Sequence, residues 1–163
     1  MTQTTTVLAR SRLDCVDLTG ELEAFIRDAG LHDGAVIAFC AHTTCALVIN
    51  EWEDGALDDL RRRLDTLFPL HAYYAHDDVT RRTQNLTDDE RRNGAAHVAQ
   101  MVIGGTSHVI PVADGRTVLG EWQRLFLLEL DEPKPRSIVF RALGSSTQSL
   151  VMNNQNARPA YSP

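Results

Sequence analysis

Apolar residues in this chain recur at two spacings, and the change from one to the other marks out its elements. Leu22, Phe25, Ile26 and Ala29 fall three and four apart, the stripe of an amphipathic helix, with Thr19 as its N-cap and Gly30 as its C-terminal stop. Leu57, Leu60, Leu64 and Leu67 form a second stripe, with Asp58, Arg61, Arg62 and Asp65 largely off it and Pro69 shortly beyond. A third, short helix is expected from about Gly94 to Val102, placing His97 and Met101 one turn apart.

The remaining runs are strand-like. Thr4 to Arg10 is a short β-type run, and Ala35 to Ala41 and Cys45 to Ile49 are almost unbroken apolar strands, expected to be covered on both faces. Joined, those two would exceed the usual length of about ten residues, so a bend is expected at His42-Thr43-Thr44. Ser107 to Ala113 and Arg116 to Leu119 flank Asp114-Gly115, a two-residue hairpin signal. Glu121 to Leu130 and Ser137 to Leu143 complete the strands, with Trp122 expected to pack and Glu129 to lie on an exposed sheet face. The pattern describes an α+β fold, a single domain over residues 1–144 in which two or three helices lie on a mainly antiparallel mixed sheet. Residues 145–163 turn polar and are expected to be a flexible tail.

Composition changes this picture little. The chain has 163 residues, one domain by length, with 43% apolar and 23% charged residues, as in an ordinary globular protein. It contains no apolar run long enough to span a membrane, and Met1 leads into a threonine-rich start unlike a signal peptide, so a cytoplasmic protein is expected. Net charge is −6, and Arg61-Arg62-Arg63, Arg81-Arg82 and Arg91-Arg92 each sit among acids. An uninterrupted basic surface is missing, which argues against nucleic acid as a partner. Cys15, Cys40 and Cys45 cannot all pair within one chain, so buried thiols are expected rather than a disulfide framework. Cys40 and Cys45 bracket His42, but the spacing is not a standard zinc pattern.

Chemistry-bearing residues fall into two polar islands. One is His42-Thr43-Thr44 followed, past an apolar run, by Asn50-Glu51; the other runs through the long polar stretch 71–94 to His97. A polar loop of that length inside a small domain is functional or mobile. His42 and His97 suit either a transition metal shared with a carboxylate or an acid–base role near neutrality. His32, His71, His76 and His108 have no evident partner and receive no role.

His42-Thr43-Thr44, Asn50-Glu51, the His76 to Asn85 segment, Asn93-Gly94-x-x-His97 and Gly120-x-Trp122-Gln123 occur in an order that resembles the YjbQ-like family, also called secondary thiamine-phosphate synthases. The resemblance spans about residues 5–144. It implies an α+β fold assembled as a homotrimer with sites between subunits, and a weak thiamine-phosphate synthase activity that joins a pyrimidine methyl diphosphate to a thiazole phosphate. Such chemistry needs phosphate-bearing substrates held and departing charge neutralised. On this resemblance His97, His42 and Glu51 are the catalytic candidates, and Arg82 (in preference to Arg81), Asn85, Asn50 and Thr43 the substrate-binding ones. His42, His97, Asp77 and Asp78 are candidates for a divalent cation, Mg²⁺ or Zn²⁺. One departure stands out: Ala95 occupies the place where the family usually carries a first histidine. That leaves a non-catalytic trimeric metal- or metabolite-binding protein, or a metal-dependent hydrolase, as alternatives.

Overall fold

A computed structural model describes residues 1–146, and in them eight strands and three α-helices follow one another. The first half runs β1 (Thr2–Val7), β2 (Cys15–Asp17), α1 (Thr19–Asp28), β3 (Leu31–Cys40), β4 (Cys45–Glu51) and α2 (Asp54–Leu67). A 3-10 turn at Ala75–Asp77 precedes α3 (Gly94–Ile103), β5 (Ser107–Ala113), β6 (Arg116–Thr117), β7 (Gln123–Glu129) and β8 (Arg136–Ser146). The expected tail lies outside the described residues except at its start, where Ser145 and Ser146 extend β8 and pair with Asp33 and Leu31.

The strands form two sheets rather than one, and every pairing is antiparallel. The larger has the order β1-β8-β3-β5-β6 and the smaller β2-β7-β4. β7 shows how the layers stack. Leu125 and Leu127 point into a core shared with Val36, Ala38, Ile110 and Phe140 of the larger sheet and with Leu22, Phe25 and Ile26 of α1. Phe126 and Leu128, on the alternate face, pack with Leu57 and Leu64 of α2 and Ala96 and Ala99 of α3. The smaller sheet is therefore the middle layer, and the bend expected at His42-Thr43-Thr44 is the corner where the chain crosses from one sheet to the other.

Local chemistry accounts for the boundaries and for several departures from expectation. Gly30 takes φ +58 and ends α1 as expected, but the N-cap position is Leu18, not Thr19. Thr19 Oγ1 instead accepts from the Leu125 amide at 3.1 Å, tying the helix to β7. In α2 the buried stripe ends on Phe68, leaving Leu67 exposed, while Glu53 caps the helix by accepting from the Gly55 and Ala56 amides. Asp114 and Gly115 both have positive φ, as the two-residue hairpin requires. β3 crosses β8 where Gly34 faces Gly144, and a Cβ on Gly34 would stand 2.0 Å from the Leu143 carbonyl oxygen. β3 is covered on one face only: Val36, Ala38 and Cys40 are buried, whereas Phe39 is exposed, because nothing among the described residues lies against the outer face of the larger sheet. Trp122 is also exposed, not packed.

The largest correction concerns Glu129. It is fully buried, and so is its partner Arg136. Arg136 Nε donates to Glu129 Oε2 at 2.7 Å and Nη2 donates to Oε1, a bidentate pair between the end of β7 and the start of β8. The same guanidinium donates to Thr44 Oγ1 at 3.0 Å and to the Thr44 carbonyl at 3.3 Å. A carboxylate in an apolar strand reads as solvent-facing only when its partner, here at the end of a polar linker, is overlooked. Removing one member leaves an unpaired buried charge, so Glu129→Leu is expected to cost about 3–5 kcal/mol. The double variant Glu129→Leu, Arg136→Met is expected to recover most of that loss in urea-unfolding midpoints; equal destabilisation of single and double variants would contradict the pairing.

Candidate functional site

The loop between α2 and α3 is built around Arg82. Its Nε donates to the Gln84 carbonyl at 3.0 Å, Nη2 to the Asn85 carbonyl at 2.7 Å, and Nη1 to the Glu90 carboxylate and to His76 Nε2 at 3.2 Å. Glu90 in turn accepts from the Thr87 amide and hydroxyl. Asp77 Oδ1 accepts from the Gly94 amide at 2.8 Å, anchoring the loop on the first turn of α3. That approach is close: a Cβ on Gly94 would lie 2.5 Å from Tyr74 Cβ, so glycine is needed for Tyr74 to seat there.

This arrangement sets His76 against His97, with ring centroids 4.4 Å apart and planes tilted by 49°. The two imidazoles, Thr43 from the corner, Arg82, Asn85, Thr87 and Asn93 line a cleft of about 420 Å³. Of the residues singled out in the sequence, Thr43, Arg82, Asn85 and His97 are thus brought together. His76, given no role there, belongs with them. Arg82 is largely occupied in holding the loop, so its effect on a ligand is mainly its charge, part-neutralised by Glu90.

The other candidates go elsewhere. His42 Nε2 accepts from the Ser137 amide at 2.8 Å, which places the ring proton on Nδ1 and leaves no free lone pair for a metal or a proton. Its role is to fasten the corner to β8 beside Arg136. Asp78 accepts from Thr80 and Tyr73 and closes a turn. Asn50 and Glu51 lie at the opposite end of β4 from Thr43, beside a small crevice of about 130 Å³ against α2. Among the described residues, the side chains that gather three potential ligand atoms are His32, Asp33 and Asp114 at the exposed hairpin end, not His42, His97, Asp77 and Asp78. Among the described residues the expected cation set is not gathered around one point.

Electrostatics distinguish His97. Burial, then the neighbouring His76, holds its pKa below the usual histidine value. Its ring nitrogens have no hydrogen-bond partner among the described residues, although the side chain is half-buried. Burial, then Arg136, also lowers the pKa of His42.

Residues 3–145 match the family described as UPF0047 protein YjbQ-like. The chain belongs to the YjbQ-like family. The UPF0047 protein YugU of Bacillus subtilis is 32% identical over 145 residues, covering 88% of this chain and all of that one. A UPF0047 protein of Archaeoglobus fulgidus is 34% identical over 138 residues, 85% of this chain and 98% of that one. In structure, a hypothetical protein of Aeropyrum pernix K1 superposes with a TM-score of 0.76 at 32% identity, over 89% of this chain and 99% of that one. A YbjQ-like protein of unknown function from Sulfolobus solfataricus P2 superposes with a TM-score of 0.76 at 30% identity, over 89% of this chain and 97% of that one.

Within this YjbQ-like chain, Ala95 is buried on α3. Two residues along a helix is a turn of about 200°, so a side chain at 95 leaves the helix nearly opposite His97. The companion of His97 is His76. Its signal in the sequence was its position at the head of the His76-Asp77-Asp78-x-x-Arg81-Arg82-x-x-Asn85 segment, read for its acids and arginines rather than for its imidazole.

Histidine NMR titration is expected to show His97 protonating below about 6.5, the unperturbed value. His76→Ala is expected to move that titration upward, since it removes a neighbouring positive potential and some of the burial. Between the lowered folded pKa and about 6.5 the unfolded chain binds more protons, so stability is full above that window and falls as pH drops through it. An unshifted His97 titration in the variant would contradict the coupling.

Proposed function

We propose that this protein is an enzyme acting on a phosphorylated small molecule bound in the Thr43–His76–Asn85–His97 cleft, with thiamine-phosphate synthesis as the reaction. The observation that carries this reading is His97: half-buried, held neutral near pH 7, and with both ring nitrogens unpartnered among the described residues while facing a polar cleft. An imidazole kept in that state is available to a ligand.

In thiamine-phosphate synthesis the thiazole nitrogen forms a C–N bond to the pyrimidine methylene carbon. The C–O bond to the diphosphate breaks, and its electron pair leaves with pyrophosphate. The attacking nitrogen carries no proton, so the site must stabilise departing negative charge rather than act as a strong base. A neutral imidazole N–H, the Thr43 hydroxyl and the Asn85 and Asn93 amides supply hydrogen-bond donors, and the Arg82 charge favours the anion. A divalent cation enters as the counterion that diphosphates bring with them, not through a protein ligand set.

The same reading has this chain act in the cytoplasm as a homotrimer. Phe39, Val109 and Leu143 on the uncovered face of the larger sheet and Met101 and Val102 on α3 are exposed apolar side chains, the kind of surface that self-association buries. Assembly could also bring Asn50 and Glu51 of one subunit to the cleft of the next. Light scattering is expected to return three chain masses; a monomer at micromolar concentration would remove this part of the reading. Purified protein supplied with both phosphorylated precursors and Mg²⁺ is expected to form thiamine phosphate, with His97→Ala lowering the rate at least tenfold. Equal rates in the two proteins would overturn the assignment. Ala95 favours a second reading, a binding protein without turnover, which stoichiometric precursor binding with no product, even in Ala95→His, would support.

A further inference from the structure

We propose that Cys40 and Cys45 form an oxidative modification site, at which a hydroperoxide converts a buried dithiol into a disulfide that staples the two sheets across the corner carrying His42 and Thr43. The two Sγ atoms stand 3.1 Å apart, both side chains are fully buried, and the bond is one of hydrogen-bonding sulfurs rather than of loosely packed ones. A disulfide needs about 2.05 Å between sulfurs, a further approach of about 1 Å. Cys40 ends β3 in one sheet and Cys45 begins β4 in the other, with only the four corner residues between them. Cys15 packs in the other core, among α2 and α3 side chains, so the pair is set apart from the third thiol.

The environment gives the two sulfurs different parts. The hydrogen bond shared with Cys45 lowers the pKa of the Cys40 thiol, burial opposes it, and the positive charge of Arg136 adds to the lowering. The same hydrogen bond, then burial, pushes the Cys45 thiol up, so it keeps its proton. Cys40 is therefore the sulfur poised to attack. Its thiolate attacks the peroxide oxygen, forming an S–O bond as the O–O bond breaks, and the departing hydroxide takes up a proton to leave as water. Cys45 sulfur then attacks the sulfenic sulfur. The S–S bond forms, the S–O bond breaks, and the second hydroxide leaves as water with the Cys45 proton. Two thiols and one molecule of hydrogen peroxide give one disulfide and two waters, with the two electrons coming from the sulfurs. Of the four corner residues that join the buried pair, Ala41 and Thr43 are exposed, so solvent and peroxide reach the corner itself.

The corner has no slack to absorb the change. His42 is fastened to Ser137, Thr44 to Arg136, and Thr43 lines the cleft, so closing the sulfurs must shift at least one of them. That effect on the cleft rests on the function proposed above; the disulfide does not. The test therefore reads the bond first. Native protein is treated with hydrogen peroxide, unfolded, alkylated and digested with trypsin. Cys40 and Cys45 fall in one peptide between Arg27 and Arg61, expected two hydrogens lighter and unalkylated, while Cys15 is alkylated normally. Cys45→Ala is expected to leave a dimedone-reactive sulfenic acid on Cys40; if that variant does not fold, the wild-type peptide alone decides. Alkylation of both thiols after treatment, a bond to Cys15, or a sulfinic acid in place of the bond would overturn the proposal. In the oxidised protein the His42 imidazole resonance is expected to shift and to return with dithiothreitol. A formed disulfide with an unmoved His42 would refute the coupling to the corner, whatever the activity assay shows.

Discussion

A single charged pair, sealed away from water, sets the geometry on which the rest of this fold depends. Arg136 and Glu129 meet where β7 ends and β8 begins, so their bidentate contact joins the middle sheet to the outer one. Desolvating two ions offsets most of what their attraction contributes, and a buried pair is weak evidence of net stability. Its effect here is selective. The guanidinium has donors left after Glu129, and both the hydroxyl and the carbonyl of Thr44 take them. Thr44 is thereby held in the corner between β3 and β4, and its neighbour Thr43 is exposed and lines the cleft.

The cleft thus has two walls of different origin. The corner wall is held by the core, through Arg136 and through the Ser137 amide bonded to His42. The other wall is a polar loop with little apolar burial of its own, kept in shape by hydrogen bonds converging on Arg82 and by the seat of Asp77 on α3. His97 stands between them on α3, whose Ala96 and Ala99 are packed against the middle sheet. Burial of one helix face and polarity above the other produce the imidazole with depressed basicity.

Much of the fold was legible in the sequence because periodicity reports burial directly. The stripe Leu22–Phe25–Ile26, the hairpin at Asp114-Gly115 and the break at His42-Thr43-Thr44 all stand where the pattern places them. The short β2 was not legible, since three residues carry no period, and neither was the division into two sheets. Alternating faces of β7 look the same whether both are covered by helices or one by another sheet. The site was half legible. Thr43, Arg82, Asn85 and His97 converge, but types and spacing could not show that the lone pair of His42 is taken by a backbone amide. Nor could they show that Arg82 faces its own loop. Glu129 was misplaced for a related reason: pairing across seven residues and two strands leaves no local trace, and an acid among leucines looks solvated until its counterion is found.

The way the loop is fastened has a mechanical consequence. Arg82 and Glu90 gather residues 76–90 about one point, whereas the ties outward, Asp77 to the Gly94 amide and Asn93 to Asp131, sit at the two ends of the segment. A loop knotted in its middle and pinned at its ends moves as one piece, so a displacement at either pin is carried to the whole rim above His97.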